Sequence, residues 1–464
     1  MSAYPELQAM VLVCEFISYA STIFFALYMN ANIESVIVED EVVEYKKNCI
    51  DTKTAAIVVV GSGPVGMQFA NELMLRNIDI PVIVYGSEPV QPYNRVRLSD
   101  YLAGEVYRDT LSIDEPESDT AQIEFRYNCA VEWIDKDEKF ITDASGREQY
   151  YSKLVLVTGS TPFMPMFGNR HYKGVYTFRT LGEADELLSR KIRTRHTVVI
   201  GGGLLGLETA RAMQKYHTDI TIIEHNRWLM MHQLDEQGSA YLENFITESG
   251  IKVILGDSVV SVTGNGRVEG LTLRSGKIVE CDTLIIAAGV RPNISLARDA
   301  GLVFQKGIRI NNHLQTSAKD IYAIGECAEH DDNVYGLVKP GFDQAAVLAD
   351  RLTGGDARYV GSISATQLKV MSQAVFSAGR NGIDEEPGAS VSEYVFSDKD
   401  AGIYRKIRIF GNRIIGVIAV GEWHESAVIN EAIHEKRKFW FWHLLRFKAT
   451  GNIWGDADEV DVST

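Results

Sequence analysis

The stretch TAAIVVVGSGPVGMQFANEL, residues 54–73, decides the fold of this chain. It begins with a run of β-branched residues, continues through the spacing G-x-G-x-x-G, and ends with apolar residues at helical intervals. A second stretch, RHTVVIGGGLLGLETARAM at residues 195–213, repeats the same order. One such loop alone is weakly specific. Two loops, each placed between a buried strand and a helix, predict two Rossmann-like dinucleotide-binding α/β domains.

The glycines of each loop have separate physical tasks. The first permits the tight turn, the second lets the backbone approach a pyrophosphate, and the third lets the helix pack against its strand. They are Gly61, Gly63 and Gly66 in the first loop and Gly201, Gly203 and Gly206 in the second. Pro64 follows Gly63 and belongs to the same cofactor-binding loop. The free N–H groups and the positive dipole at each helix N-terminus favour bound phosphates.

An acidic residue follows the second strand of each pattern. These residues are Glu88, after PVIVYGS, and Glu224, at the end of DITIIE. A carboxylate there accepts hydrogen bonds from ribose hydroxyls and repels a 2′-phosphate. The second site is therefore predicted to prefer NADH over NADPH. Arg227, three residues beyond Glu224, would soften that preference.

Two further buried strands end in glycine turns, KLVLVTGSTPFMP at 153–165 and DTLIIAAGVRPN at 282–293. They mark the places where the chain leaves the first nucleotide domain and returns to it. Beyond residue 356, IYRKIRIFGNRIIGVIAVGE predicts a strand pair with a Gly-Asn turn, typical of a small α+β domain. The predicted parts are an N-terminal apolar extension (1–53), the first nucleotide domain (54–165 and 291–355), the second, inserted one (166–290), the C-terminal α+β domain (356–425) and a basic-aromatic tail (426–464).

Charge and cysteine content exclude several classes of function. The chain has 464 residues and a formal net charge of −16, which argues against general nucleic-acid binding. Its five cysteines lie at positions 14, 49, 129, 281 and 327, with no C-x-x-C spacing. This pattern predicts no metal site and no redox dithiol, and it suits a reducing, cytoplasmic compartment. Electron chemistry would then need a bound organic cofactor.

Both ends of the chain contain unusual apolar segments. Residues 7–29 are almost entirely apolar, with Glu15 as their only charge, and no Lys or Arg precedes Lys46. Either a buried or oligomer-forming helix or a membrane segment would account for them. The tail from His434 to Trp454 interleaves cations with Phe and Trp. It suits a membrane interface, an acidic partner protein or a helix folded back on the body, and if both segments pack together they form a subunit interface of a homo-oligomer.

Five motifs in order resemble one family. The chain is similar to the FAD-dependent pyridine nucleotide reductases, most closely to the flavin-containing module of the assimilatory NAD(P)H nitrite reductase large subunit, with rubredoxin and ferredoxin reductases as near relatives. The resemblance covers residues 54 to about 422. Its motifs are PYNRVRLSDYLAGE (92–105), VTGSTP (157–162), GGGLLGLE (201–208), AAGVRPN (287–293) and YAIGECAEHDDNVYGL (322–337). It implies a glutathione-reductase-like FAD/NAD(P) fold.

The resemblance also implies roles for individual residues. FAD would be held by the first glycine loop with Glu88, and by Arg95, Thr158, Gly159, Gly325 and Glu326; NAD would be held by the second loop with Glu224. Glu208 matches a glutamate near the nicotinamide, and Asp100 stands where ferredoxin-reductase relatives carry a lysine that pairs with that glutamate. These two acids are the expected catalytic residues.

The implied activity is NADH-dependent reduction of FAD, followed by electron transfer to a separate acceptor, a rubredoxin- or ferredoxin-type protein or a nitrite-reductase-like partner. Iron–sulfur and siroheme modules of nitrite reductases need cysteines, and no cysteine follows Cys327. Two other functions stay open: a membrane-associated NADH:quinone-type dehydrogenase and a redox-sensing or scaffold subunit.

Overall fold

The computed structural model describes residues 36–38, 41–43, 50–116, 122–165, 172–363, 365–370, 373–382 and 391–454. The chain divides into two compact units, Met1–Asp51 and Thr52–Thr464. In the first unit, strands β1 (Val36–Val38) and β2 (Glu41–Val43) pair antiparallel. The apolar segment 7–29 lies outside the described residues.

The first glycine loop follows a strand of the first sheet in the second unit. The parallel strands of this sheet are short apolar runs, most of them buried, as expected for a sheet covered on both faces. In order they are β5 (Ile123–Arg126), β4 (Val82–Tyr85), β3 (Ala56–Val60), β8 (Glu148–Leu156) and β20 (Ile321–Ala323). Strands β7 (Phe140–Asp143) and β6 (Val131–Asp135) extend the sheet antiparallel from the first half of β8.

Two helices pack against each other on this sheet, α1 (Pro64–Leu75) after the glycine loop and α7 (Val338–Leu352) near the return of the chain. Their close approach depends on Gly341, because a Cβ there would lie 2.6 Å from a methyl carbon of Val65. The short helix α2 (Leu98–Leu102) follows a 3₁₀ turn at Arg95–Arg97. Short strands β19 (Ile308–Ile310) and β21 (Ala328–His330) pair in parallel before α7.

A second parallel sheet contains the second glycine loop. Its strands in order are β10 (Val175–Thr177), β17 (Thr283–Ile286), β11 (His196–Ile200), β12 (Asp219–Glu224) and β13 (Lys252–Leu255). Its helices are α3 (Leu181–Arg190), α4 (Leu204–Gln214) and α5 (Glu236–Glu248). An antiparallel sheet of β14 (Val259–Thr263), β15 (Gly270–Leu273) and β16 (Ile278–Glu280) follows.

The two crossings between the nucleotide domains lie side by side. Strand β9 (Ser160–Pro162) leaves the first domain and β18 (Val290–Pro292) returns to it, and the two pair antiparallel. Helix α6 (Ser295–Asp299) follows β18. The glycine turns at Gly159 and Gly289 directly precede these two strands, and each carbonyl accepts a backbone N–H from the other crossing at 2.9 Å.

The C-terminal domain contains an antiparallel sheet. Its strands in order are β22 (Ala365–Val370), β23 (Gln373–Gly379), β26 (Arg413–Val420), β25 (Ile403–Phe410) and β24 (Ser392–Asp398). Gly411 and Asn412 connect β25 to β26 with φ values of +54° and +59°, the left-handed pair that a tight hairpin requires. One face of this sheet shares a core with the second nucleotide domain, through Tyr404 and Leu234.

Two helices cover the other face of the C-terminal sheet, α8 (Ser426–His434) and α9 (Phe441–Thr450). Their buried side chains Ile429 and Phe447 join the core formed by Ile407 and Val417. The predicted α/β fold with two Rossmann-like domains and a C-terminal domain is confirmed. Among the helices within the described ranges, none has both the length and the apolar character needed to cross a bilayer.

Candidate functional site

Both glycine loops face one cavity. Gly61 and Gly63 line it from the first nucleotide domain, and Gly201 and Gly203 line it from the second. The cavity has a volume of about 1490 Å³. Pockets for a single drug-sized ligand span about 300–1,000 Å³. This cavity therefore has room for more than one such ligand.

The first loop is shaped by close backbone contacts. Gly61 has φ = +128°, and a Cβ there would lie 2.1 Å from the Val157 carbonyl oxygen. A Cβ on Gly66 would lie 2.0 Å from the Gly61 oxygen. Pro64 then starts α1 without leaving an orphan N–H group. The loop thus aims the helix N-terminus into the cavity.

Glu88 and Arg95 meet beside this loop. The Glu88 carboxylate accepts hydrogen bonds from Arg95 Nη2 at 2.9 Å and from the Tyr93 hydroxyl at 2.7 Å. The Tyr93 hydroxyl in turn accepts the backbone N–H of Leu181 at 3.0 Å. Burial raises the pKa of Tyr93 well above its ordinary value. A neutral tyrosine therefore holds the carboxylate while Arg95 lies over Gly63.

The turns after β8 and β20 line the cavity as well. Thr158 Oγ1 donates to the Asn293 carbonyl at 2.7 Å, which ties the two crossings together. The N–H of Gly325, where φ is +79°, donates to Gln344 Oε1 at 2.7 Å. At Gly159, where φ is +64°, a Cβ would meet no atom within 4 Å. The turn at Gly159 therefore leaves open space beside the cavity, whereas the turn at Gly325 packs on Val65.

Glu326 is held by a residue that the sequence analysis missed. Its carboxylate accepts the Ser160 hydroxyl at 2.8 Å and forms an ion pair with Arg179. Arg179 Nε is buried and has no hydrogen-bond partner within the described residues. A partly buried guanidinium with a spare Nε donor, beside a carboxylate on the cavity wall, suits an anionic or oxygen-rich ligand.

The second loop repeats the geometry of the first. Gly201 has φ = +112°, and a Cβ there would lie 2.3 Å from the Ala287 oxygen. A Cβ on Gly206 would lie 1.9 Å from the Gly201 oxygen. A Cβ on Gly203 would meet nothing within 4 Å. Gly203 therefore borders open space at the N-terminus of α4, as a phosphate-binding position requires.

Glu224 is buried at the end of β12, with 6% of its surface exposed. Its two carboxylate oxygens accept the N–H groups of Gly202 at 2.6 Å and Asn226 at 2.8 Å. These bonds fix the carboxylate at the cavity wall. Among the described residues, Arg227 does not line the cavity, whereas Arg274 does. Arg227, the arginine nearest to Glu224 in the sequence, therefore does not face the ligand space.

The two expected catalytic acids lie together on the cavity wall. Glu208, on α4, accepts a hydrogen bond from the Ser99 side chain, and Asp100 is close enough to act on its charge. Burial and then the Asp100 charge raise the pKa of Glu208 to about 7. Asp100 itself pairs with Arg97 Nε at 3.5 Å. Glu208 can therefore hold a proton near neutral pH.

Arg179, Ser99, Tyr93 and Arg274 were not among the predicted site residues. Three of them have partners distant in sequence, and Arg179 lies 147 residues before Glu326. Arg274 lines the cavity, and its side chain has no such partner within the described residues. A weak local signal exists for Arg179, since it precedes the capping box of Thr180 and Glu183 that starts α3. Tyr93 and Ser99 lie within the motif of residues 92–105, which is the signal that could have indicated them.

The residues at hand fit two dinucleotides. Each glycine loop offers a helix N-terminus to a pyrophosphate, and each is followed by an acidic residue suited to ribose hydroxyls, Glu88 in the first domain and Glu224 in the second. No cluster of His, Cys, Asp and Glu able to hold a metal occurs within the described part of the chain. Cys327 is fully buried with a pKa raised by burial, so its thiol is unreactive.

Comparison with known proteins matches both regions of the chain. The sequence profile for pyridine nucleotide-disulphide oxidoreductases matches residues 55–347, and that for the rubredoxin NAD+ reductase C-terminal domain matches residues 365–437. A nitrite reductase [NAD(P)H] of Bacillus subtilis is 36% identical over 80% of this chain and 46% of its own length. Rhodocoxin reductase of Rhodococcus erythropolis is 30% identical over 79% of this chain and 86% of its own length.

A solved structure supports the fold. Putidaredoxin reductase in its covalent complex with putidaredoxin superposes with a TM-score of 0.76 at 24% identity, over 82% of this chain and 93% of that one. The chain spans about half the length, or less, of the nitrite and nitrate reductase relatives that it matches. The shared part is the module that contains both glycine loops.

Proposed function

The chain belongs to the pyridine nucleotide-disulphide oxidoreductase family, and from this premise we propose that it is an NADH-dependent FAD reductase that passes electrons to a separate acceptor. FAD, when bound, accepts a hydride from NADH, two electrons with one proton, and gives the electrons up to the next carrier. One observation supports this function above all others. Both dinucleotide loops line the same cavity, so two bound nucleotides would meet there.

The first domain would bind FAD. Its pyrophosphate would face Gly63 and the start of α1, its ribose would meet Glu88, and Arg95 would neutralise phosphate charge. The described residues around Thr158, Gly159, Gly325 and Glu326 would contact the middle of the cofactor. Arg179, whose Nε has no hydrogen-bond partner in the part of the chain that the structure describes, joins this set.

The second domain would bind NADH. Gly203 and the start of α4 would take the pyrophosphate, and the buried carboxylate of Glu224 would favour a ribose with a free 2′-hydroxyl. Burial of Glu224 supports the NADH preference, since a 2′-phosphate beside a buried carboxylate would be repelled with little screening. Glu208 would then hold a proton at the wall between the nucleotides.

The acceptor is proposed to be a small redox protein or a separate reductase module. The described thiols Cys129, Cys281 and Cys327 are free and do not form a dithiol, so the electrons would leave the flavin for another molecule. Free thiols also suit a reducing compartment. The relatives support this acceptor class through their names, rhodocoxin reductase and nitrite reductase.

Anaerobic stopped-flow mixing of the FAD-loaded chain with NADH or NADPH tests the proposal. We expect rapid bleaching of the flavin absorbance by NADH and slower bleaching by NADPH. The reduced protein is then mixed with rubredoxin, ferredoxin, a soluble quinone or oxygen, and a protein acceptor should reoxidise it fastest. Absence of bleaching with both nucleotides would refute the reductase function. Fastest reoxidation by quinone would favour the quinone-type dehydrogenase instead.

A further inference from the structure

The C-terminal domain carries an exposed surface that the proposed activity does not use, and we propose that it binds membranes containing anionic phospholipids. This basic-aromatic patch combines solvent-exposed apolar side chains with cations. Its apolar members are Phe410, Trp440, Phe441, Trp442 and Leu445. Its cations are Arg413, Lys436, Lys438, Arg446 and Lys448.

Two separate parts of the chain are joined in this patch. The tip of the β25–β26 hairpin lies against the segment before α9, where the Phe439 N–H donates to the Asn412 carbonyl at 2.6 Å and Arg413 pairs with Lys438 through a β-bridge. Phe410 at the hairpin and Trp440 before the helix are 48% and 47% exposed. The hairpin thereby widens the surface beyond one helix.

Helix α9 presents a narrow apolar face to solvent. At about 100° per residue, Phe441, Leu445 and Trp442 fall within an arc of about 100°, with Arg446 on one side and Lys448 on the other. These three side chains are 69%, 52% and 61% exposed. The opposite face is fixed, because Phe447 is fully buried in the domain core. A lipid interface favours such an apolar stripe flanked by cations that reach the headgroups.

The aromatic side chains are of the type found at bilayer interfaces. Trp440 and Trp442 stack with ring centroids 5.5 Å apart and planes 8° apart, yet each leaves about half or more of its surface to solvent. Tryptophan is enriched at the headgroup level of membranes because its ring is apolar and its N–H is polar.

Three of the five cations of the patch have no counter-charge on the described part of the chain, whereas Lys448 Nζ lies over the Tyr394 ring, 5.1 Å from its centroid. Within the described residues, Lys436, Lys438 and Arg446 have no carboxylate partner, whereas Arg437 pairs with Glu431 and Glu435. The chain as a whole has a formal net charge of −16. These unpaired cations therefore complement the charge of anionic headgroups. Each Lys or Arg near such a surface contributes about 1 kcal/mol to the free energy of membrane binding.

Position and size argue against a protein occupant. The patch lies on the face of the C-terminal sheet covered by α9, while the other face packs on the second nucleotide domain, so an electron acceptor docked here would be separated from the cavity by the whole sheet. Stable protein interfaces use about 20–30 residues a side, more than this patch offers. A second copy would also bring its own charge of −16.

Vesicle co-sedimentation of the FAD-loaded full chain tests the proposal. We expect binding to vesicles of phosphatidylcholine with phosphatidylglycerol, weaker binding to phosphatidylcholine alone, and a decrease with added salt. The double variant Phe441→Ser with Trp442→Ser should lower the partition coefficient at least about tenfold, since it removes two apolar groups from the lipid. Lys438→Glu with Arg446→Glu should abolish the preference for anionic vesicles.

Matched variants separate the patch from general surface effects. Ile192 and Val360 are 87% and 86% exposed outside the patch, so Ile192→Ser with Val360→Ser should bind vesicles like the wild type. NADH-driven flavin bleaching should be unchanged in every variant. The proposal is overturned if the wild type does not bind the vesicles. It is also overturned if the Phe441 and Trp442 double variant binds them as well as the wild type does. Conversion of a dimer to a monomer by that variant without lipid would instead assign the patch to a second copy.

Discussion

At the scale of single residues, the pair of acids on the cavity wall departs most from the family resemblance. The resemblance to ferredoxin reductases implies a lysine at the position of Asp100, and a lysine there would stabilise an ionised Glu208. Here the charge at that position is negative, and the interactions that lower the pKa of Glu208 come from the Ser99 side chain and then from the charge of Arg211. The local chemistry therefore changes from an ion pair to a protonatable carboxyl.

The variant Glu208→Gln should gain stability relative to the wild type as the pH rises. The pKa of Glu208 is raised from its ordinary value of 4.5 to about 7, so the folded wild type binds more protons than the unfolded chain between these values. The free energy of unfolding of the wild type therefore falls by about 3 kcal/mol relative to that of the variant between about pH 4.5 and 7. Above pH 7 the difference between the two proteins stays constant. Urea midpoints at pH 5, 6, 7 and 8 measure it.

Asp100→Asn provides the matched control for this titration. Removal of the Asp100 charge should shift the transition in the stability difference to lower pH, because that charge contributes to the raised pKa of Glu208. In the Glu208→Gln background, Asp100→Asn should change the free energy of unfolding by the same amount at every pH from 5 to 8. A constant difference between wild type and Glu208→Gln from pH 5 to 8 would show that Glu208 titrates normally.

At the scale of elements, the two glycine loops divide their positions between ligand and fold. Gly203 borders open space with φ = −83°, so an alanine fits the folded chain. We expect Gly203→Ala to keep the unfolding midpoint and the FAD content and to raise the KM for NADH at least about tenfold, because the methyl group occupies the approach of the pyrophosphate. Steady-state kinetics and thermal unfolding measure both effects.

Gly206→Ala is the matched control on the same helix. Its Cβ would meet the Gly201 oxygen at 1.9 Å, so the helix must shift away from its strand and stability should fall. If Gly203→Ala binds NADH like the wild type, the second loop does not hold the pyrophosphate. If instead Gly203→Ala unfolds as easily as Gly206→Ala, the division of roles between these two positions is wrong.

The same elements show how far sequence patterns reach. The strand, glycine turn and helix of each loop are encoded within about twenty adjacent residues, so both loops and the Gly411–Asn412 hairpin could be predicted. Contacts between distant segments could not. Arg179 meets Glu326 across 147 residues, and the Tyr93 hydroxyl meets the Leu181 N–H across 88. Only the folded chain brings such pairs together.

At the scale of the whole molecule, the C-terminal domain is part of the nucleotide-binding body. Ala365, Thr366 and Gln367 of β22 line the cavity, so this domain closes one side of the ligand space. Strand β25 packs against α5 of the second nucleotide domain, where a Cβ on Gly238 would lie 3.1 Å from the Tyr404 ring. Docking of the two domains is therefore tight and depends on side-chain shape.

Tyr404→Ala should weaken this docking and with it the whole second unit. Tyr404 is 1% exposed, and its hydroxyl donates to Asp235 Oδ2 at 2.8 Å, the carboxylate that also caps α5 through the Gly238 N–H. Loss of a buried aromatic ring costs about 3–5 kcal/mol, whereas Tyr404→Phe removes only one hydrogen bond and costs about 1 kcal/mol. Urea unfolding followed by fluorescence measures both.

Tyr107→Ala is the control, since Tyr107 is 83% exposed and its removal should change the midpoint little. NADH affinity gives a second readout. Asp235 caps the helix of the second nucleotide domain against which Tyr404 packs. Residues 365–367, in the same C-terminal domain as Tyr404, line the cavity. We expect Tyr404→Ala to weaken NADH binding along with stability. A variant that loses less than about 1 kcal/mol and binds NADH normally would mean that the nucleotide domains are stable without this contact.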